Sequence, residues 1–346
     1  MLACATSGIA ALNLPKGATA HSTFKIPVKN LNAESVLSIT AQSGRGELLR
    51  RAELIVWDEI SMAHRNAPES VDKTMQVLRR DPRPFGGCPT VWMGDFRQIP
   101  PVVLGGNRAK ITRASVLSSP LWSAFARNKM ELRENMRVKN ALREVGAERA
   151  RELSDWNDYL IRIGNGTEPV IRQNLVHVPK DMMLPSSPNG ERAGISKLID
   201  YVYGLQPPHL PERPGASATT EVRRMYSQQV DQVSKFYSNK AFVTPTNKDV
   251  TTFNDMVMNR MRGQERTFVS ADDVVKTEAD HAVYTTEFLN TLEFSGVPPH
   301  KLKLKLGCVI MLLRNLSARD GLCNGTRIVV TKLGLRTIEG VILTGM

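Results

Sequence analysis

The sequence predicts an α/β fold built on parallel strands, and three observations carry the prediction. Leu54-Ile55-Val56-Trp57-Asp58-Glu59 and Thr90-Val91-Trp92-Met93-Gly94-Asp95-Phe96-Arg97-Gln98 both begin as short apolar runs without helical periodicity and stop on carboxylates. Buried parallel strands behave so where they surface at a ligand crevice. Between them, Val71, Met75 and Leu78 recur at i, i+4 and i+7, which marks an amphipathic helix. Strand, helix and strand in that order form a crossover whose strands run parallel. Ligands of such sheets sit outside the carboxyl ends of the strands, so both carboxylate sets are expected at one site.

Taken in order, residues 1–14 read as a strand end, a Thr6-Ser7-Gly8 turn and a short helix through Ile9, Ala10, Ala11 and Leu12. The helix between the acidic strands has Asn66 as its expected cap and Pro68 in its first turn. Pro82-Arg83-Pro84-Phe85-Gly86-Gly87 reads as the loop returning to the second strand. A helix is expected ahead of Leu132-Arg133-Glu134-Asn135-Met136-Arg137, and a further helical stretch runs to about Ile163. Residues 180–220 carry Leu184-Pro185-Ser186-Ser187-Pro188-Asn189-Gly190 and Pro207-Pro208-His209-Leu210-Pro211, which read as an extended connection or an inserted lobe. A strand is expected over Ala241-Phe242-Val243-Thr244, then a helix capped by Asn247 with Val250, Phe253, Val257 and Met261 apolar. From Leu302 the pattern is β, through Val309–Leu313, a Gly321-to-Gly325 turn and Ile328–Val330.

The 346 residues carry 46 Lys+Arg against 34 Asp+Glu, a net +12 that fits a polyanionic partner, nucleic acid before membrane. Residues 301–346 hold eight basic side chains and two acidic ones, half of the excess. Lys303 and Lys305 would share one strand face, opposite Leu302, Leu304 and Leu306; that suits a half-buried strand and a DNA channel equally. The four cysteines lie far apart with no C-x-x-C pair, so no zinc site is expected and a reducing compartment is. No apolar run reaches 18 residues, and none is expected to span a membrane.

The residue types at the strand ends suit phosphoryl transfer. Asp58 would hold Mg²⁺, Glu59 would take a proton from an attacking water, and Gln98 would donate to a γ-phosphate oxygen while accepting from that water. Asp95 suits the same site or a loop cap. The loop that would grip the phosphates, G-x-x-x-x-G-K-[ST], occurs nowhere in the 346 residues.

Four blocks and a fifth in the last third resemble the petite-integration-frequency (Pif-type) DNA helicases of superfamily one, closest to the helicase domain of Helitron transposons. They are Ala5–Ala11 with Thr19-Ala20-His21-Ser22-Thr23-Phe24-Lys25-Ile26-Pro27; Trp57-Asp58-Glu59-Ile60-Ser61-Met62; Pro84-Phe85-Gly86-Gly87 through Gly94–Val102; Leu132–Arg137; and Ser295–His300 with Met311–Leu316 and Asn324–Arg327. The resemblance implies two RecA-like lobes, about 1–130 and about 131–346, with an insertion near 170–235. It implies ATP and Mg²⁺ as cofactors and ATP-driven five-prime-to-three-prime unwinding of single-stranded and forked DNA by a nuclear monomer, with DNA repair or recombination as the setting. By match, Arg137 reaches the γ-phosphate from across the cleft; a guanidinium fork suits that task, and such fingers are worth about 10³–10⁵ in rate.

In the early block, Thr6, Ser7 and Gly8 open a helix whose N–H groups suit a DNA phosphate. His21 and Lys25 add phosphate donors, while Phe24 suits either base stacking or the core. Against the family pattern, the phosphate loop and the late motifs are missing, so the chain is expected to be a truncated or inactive copy. Two rivals stay open: a non-catalytic single-strand-binding remnant, and a metal nuclease using Asp58, Glu59 and Asp95.

Overall fold

The computed structural model describes residues 1–27, 31–32, 34–143, 145–172, 175–185, 191–244, 246–271, 290–291, 298–317 and 320–343. Ser295, Gly296 and Val297 of the last resembling block, Ser186–Gly190 of the Pro-rich stretch and Arg319 lie outside the described residues. The chain divides into two compact units, Met1–Pro179 and Lys180–Met346.

The first unit opens with β1 (Leu2–Ala5), α1 (Gly8–Leu12), β2 (Ala18–Thr19), α2 (Ala20–Phe24), α3 (Gly44–Arg50), β3 (Ile55–Asp58), α4 (Asn66–Arg79) and β4 (Thr90–Trp92). The strands form one sheet in the order β2-β1-β3-β4, every pair parallel, with Ala5 opposite Asp58 and Trp57 opposite Trp92. Val71, Met75 and Leu78 of α4 are buried in one cluster with Ile55, Trp57 and Phe24, as the helical spacing predicts. The cap of α4 is Arg65 rather than Asn66; the Asn66 N–H donates to Nδ1 of His64 at 3.2 Å, and its side-chain amide donates to the Leu31 carbonyl.

The Pro84–Gly87 turn before β4 is clamped by α4. Asp72 accepts the Phe85 N–H at 2.6 Å, and Arg79 donates to the carbonyls of Gly86 (2.7 Å), Arg50 (2.6 Å) and Ala52 (2.9 Å). Phe85 sits at φ 53°, a left-handed conformation costly for a side chain with a Cβ, so the clamp holds strained backbone. Beyond β4 follow α5 (Arg108–Ala114), α6 (Trp122–Ala126), α7 (Met136–Ala141), α8 (Ala147–Asn165) and the hairpin β5 (Val170–Arg172) with β6 (Leu175–Val176).

The second unit holds α9 (Glu191–Tyr203), α10 (Thr220–Ser238), α11 (Asn247–Arg260), β7 (Arg266–Val269), β8 (Lys301–Leu304), β9 (Val309–Met311), β10 (Arg327–Leu333) and β11 (Ile338–Ile342). Its described strands pair antiparallel, β7 with β8 and β11-β10-β9 in a second sheet; parallel pairing is confined, among the described residues, to the first unit. Helix α9 excludes an extended connection through all of 180–220 and leaves the inserted lobe: the prolines flank the helix, and within it Ile199 is fully buried. The strand expected over 241–244 does not form; Phe242 instead stacks on Phe253 at 5.0 Å and meets Tyr203 edge-on. The cap of α11 is Thr246, one residue before the expected Asn247. Gly307, at φ 83°, passes so close to the 209–210 backbone that a Cβ there would lie 2.7 Å from the Leu210 nitrogen.

Much of the basic excess of the last third is used inside this unit. Lys305 donates to the carbonyls of Met258 (2.9 Å) and Met261 (2.8 Å) at the end of α11, which favours the first of its two readings, a structural residue rather than a DNA-channel one. Arg327 closes α10 in the same way, on the carbonyls of Tyr237 (2.6 Å) and Lys240 (2.8 Å). Lys303 pairs with Glu265, and Lys332 with Glu339.

Candidate active site

The carboxyl edge of the parallel sheet gathers three loops: Thr6-Ser7 after β1, Asp58-Glu59 after β3 and Gly94–Gln98 after β4. Backbone bonds zip them beyond the strand ends: Thr6 N–H to the Asp58 carbonyl (3.0 Å), Met93 N–H to Trp57 (2.9 Å) and Ile60 N–H to Met93 (2.9 Å).

Glu59 occupies a left-handed conformation, φ 52° and ψ 39°. Asp58 Oδ1 accepts the Glu59 N–H at 2.8 Å, a bond from side chain to the next amide that shapes this turn. Burial first, then the neighbouring charges of Asp58 and Asp95, push the Glu59 carboxyl above the usual glutamate range. Its Oε2 is buried without a hydrogen-bond partner. A carboxylate so placed is a proton acceptor with an unspent lone pair and raised basicity.

Asp95 caps its own loop by accepting the Arg97 N–H (3.0 Å) and pairs with the Arg97 guanidinium (3.3 Å). The Gln98 N–H returns to the Asp95 carbonyl at 3.1 Å, and Gln98 itself is exposed on this loop. Gly94 packs closely: a Cβ there would stand 3.0 Å from both the nitrogen and Oγ of Ser61, so Ser61 would have to give by a few tenths of an ångström. The Ser61 hydroxyl is buried without a partner. Sequence reasoning missed this Ser61–Gly94 contact; the glycine immediately before Asp95 was the available signal.

Arg137 lies on α7, whose cap Asn135 accepts the Val138 N–H, and it is exposed. No hydrogen bond or ion pair joins it to Asp58, Glu59 or Gln98, so the structure does not bring it into this cluster. Among the described residues no group of three or more His, Cys, Asp or Glu is spaced to hold a metal ion. Mg²⁺ fits the residues present on other grounds, since it commonly takes one or two carboxylates and fills its shell with water and substrate phosphates, and Glu59 Oε2 is an orphaned oxygen beside Asp58.

The early block divides. The Trp57 indole N–H donates to Thr6 Oγ1 at 3.1 Å, and Ser7 Oγ accepts the Ala10 N–H at 3.2 Å, so both side chains serve the fold. Gly8 is buried at the start of α1. His21 is exposed on α2, with its imidazole held below the usual histidine range by desolvation, and Lys25 is exposed at φ 53°. Phe24 is corrected: it is fully buried and stacks on Trp57, ring centroids 5.6 Å apart, so neither face is open to a base.

The profile of the family described as PIF1-like helicase matches residues 1–174, and that of the DNA helicase Pif1 2B domain matches 287–333. The ATP-dependent DNA helicase PIF1 of Danio rerio is 24% identical over 330 residues, 95% of this chain and 39% of that protein. The ATP-dependent DNA helicase Pif1 of Psychrobacter is 33% identical over 110 residues, 32% of this chain and 16% of that protein. Among solved structures, Bacteroides Pif1 bound to single-stranded DNA gives a TM-score of 0.52 at 19% identity, covering 100% of this chain and 63% of that one. A structure of forked-DNA unwinding by two coordinating Pif1 helicases gives 0.52 at 18%, covering 99% and 63%. At that identity the structural likeness establishes the fold, an α/β architecture of the RecA-like class. The chain spans about two fifths of the Danio rerio protein that it matches nearly end to end.

Proposed function

Since the chain belongs to the PIF1-like helicase family, we propose that it carries the water-activating and DNA-facing parts of an ATP-dependent DNA helicase. The phosphate-gripping loop is not among these 346 residues, so turnover needs it supplied from outside them. Lobes of about 1–130 and 131–346, with an insertion near 170–235, belong to the same proposal. So do five-prime-to-three-prime movement as a monomer, single-stranded and forked DNA as partners, and a nuclear site of action.

In the reaction, Glu59 takes the proton of the attacking water through its unpaired oxygen. Gln98 holds that water against the γ-phosphate, on a loop that Asp95 shapes through the Arg97 amide. Asp58 would hold Mg²⁺, which offsets phosphate charge when bound. Arg137 supplies the guanidinium that meets developing charge. DNA phosphates meet His21 and Lys25 and the backbone at Thr6, Ser7 and Gly8; Phe24 is left out because it is core.

The observation that carries the reading is the Glu59 carboxylate, held on a left-handed turn with a buried, partnerless oxygen beside Asp58 and Asp95. The test is ATP turnover, with single-stranded DNA, by a polypeptide in which a Gly-Lys-Thr loop precedes residue 1. Glu59→Gln should abolish turnover and leave nucleotide binding in place. Turnover by the 346 residues alone, lost in Glu59→Gln, would mean that phosphate gripping comes from within them.

A further inference from the structure

The first unit holds a cavity of about 340 Å³ lined in part by Trp57. Leu31, Met62 and Val102 give it apolar walls, and Thr6, His21 and His64 supply its polar groups. Its size is near the lower end of small-molecule sites, roughly 300–1,000 Å³, which suits one flat heterocycle.

The histidines determine what fits. His64 Nδ1 accepts the Asn66 N–H at 3.2 Å, so in the neutral ring the proton sits on Nε2, a donor. Burial, then the charge of Arg65, holds His64 below the usual histidine range against the opposing pull of Glu69. Desolvation acts on His21 in the same direction. At neutral pH the cavity therefore offers uncharged donors between apolar walls. A base would find apolar walls for its faces and the His64 Nε2–H for its edge. The Thr6 hydroxyl at the cavity wall accepts the Trp57 indole N–H at 3.1 Å and donates to the Asp58 carbonyl at 3.5 Å.

We propose that this cavity takes one unstacked base of single-stranded DNA, with His64 Nε2–H donating to a base carbonyl oxygen. The proposal rests on the DNA-binding reading above and adds His64 as a base-contacting residue. Thymine, cytosine and guanine carry such an oxygen; adenine does not.

The 346-residue chain is titrated by fluorescence anisotropy against labelled oligo(dT), oligo(dA) and a fully abasic strand of equal length. The parent should bind oligo(dT) more tightly than the abasic strand. His64→Ala should narrow that gap about 2- to 10-fold, the worth of one hydrogen bond. It should leave oligo(dA), the abasic strand and the salt slope of oligo(dT) binding unchanged. His64→Gln, which keeps a side-chain amide donor, should recover part of the loss. Val102 is 80% exposed at the cavity, so Val102→Trp serves as a second variant should His64→Ala fail to fold by circular dichroism. It should crowd out the base and lower oligo(dT) affinity alone. Equal loss on the abasic strand or a flatter salt slope would make the contact a phosphate contact and overturn the proposal. Unchanged oligo(dT) affinity in folded variants would overturn it while leaving DNA binding intact. A parent that binds no strand would overturn the DNA-binding reading with it.

Discussion

Asp58 Oδ1 accepts the backbone N–H of Glu59 at 2.8 Å, so the side chain proposed to hold the metal also shapes the turn that carries the proposed base. The two duties separate by substitution. Asn keeps an acceptor oxygen and loses the charge; Ala loses both. Asp58→Ala should destabilise the first unit by about 1–2 kcal/mol, the scale of a lost hydrogen bond at a left-handed residue. Asp58→Asn should cost much less. Urea unfolding followed by tryptophan fluorescence reads the difference, and equal losses would show that the bond does not hold the turn.

The raised Glu59 carboxyl makes the fold pH-sensitive in a stated direction. A carboxyl whose folded pKa lies above its unfolded value binds its proton more tightly in the folded chain. It favours folding as pH falls and opposes it once ionised. Glu59→Gln should therefore raise the melting temperature at neutral pH. The gain should shrink as pH falls from above the ordinary glutamate range through Glu59's own titration. Thermal unfolding of parent and variant across that window checks the sign.

Arg79 joins α4 to the Pro84–Gly87 turn and to the chain leaving α3 through three carbonyls. Arg79→Ala should cost about 2–4 kcal/mol, since hydrogen bonds from a charged group are worth about 1.5–3 each and part of the loss is recovered by water. Arg79→Lys should fall between, because an ammonium lacks the fork. Denaturant midpoints at unchanged slope would report it.

Basic residues should sort into two kinds by salt dependence. Lys25 is exposed, and Lys25→Ala should flatten the salt slope of single-strand binding by under about one unit. Lys305 is spent on the end of α11, and Lys305→Ala should lower stability and leave the slope alone. Equal slope changes in the two variants would return Lys305 to the DNA path.

The parallel sheet and its acidic edge were legible because their signals are local: a short apolar run, a carboxylate at its end, a helix between. What was not legible depends on partners far along the chain. An aromatic in a phosphate-rich block reads alike whether it stacks on a base or, as Phe24 does, on Trp57. Ala241–Thr244 has strand propensity without a neighbouring strand, and propensity yields to context. Prolines on both sides hid α9, and the alternation of Lys303 and Lys305 gave no hint that carbonyls 44 and 47 positions back would claim Lys305. Arg137 is the open case, since its short exposed helix places it on no site by itself.

Trp57 stands immediately before the acidic pair, and its three engagements run in different directions: its ring onto Phe24, its indole N–H to Thr6 and its carbonyl to Met93. Strand β3 is therefore not free to slide alone. A displacement of Asp58 by a fraction of an ångström must be taken up by the end of β1, the loop after β4 and the helix bearing His21. In a close-packed interior such a load is passed on rather than absorbed. The Trp57 side chain thus joins the strand that ends in the turn proposed to meet the nucleotide to the helix proposed to meet the DNA strand.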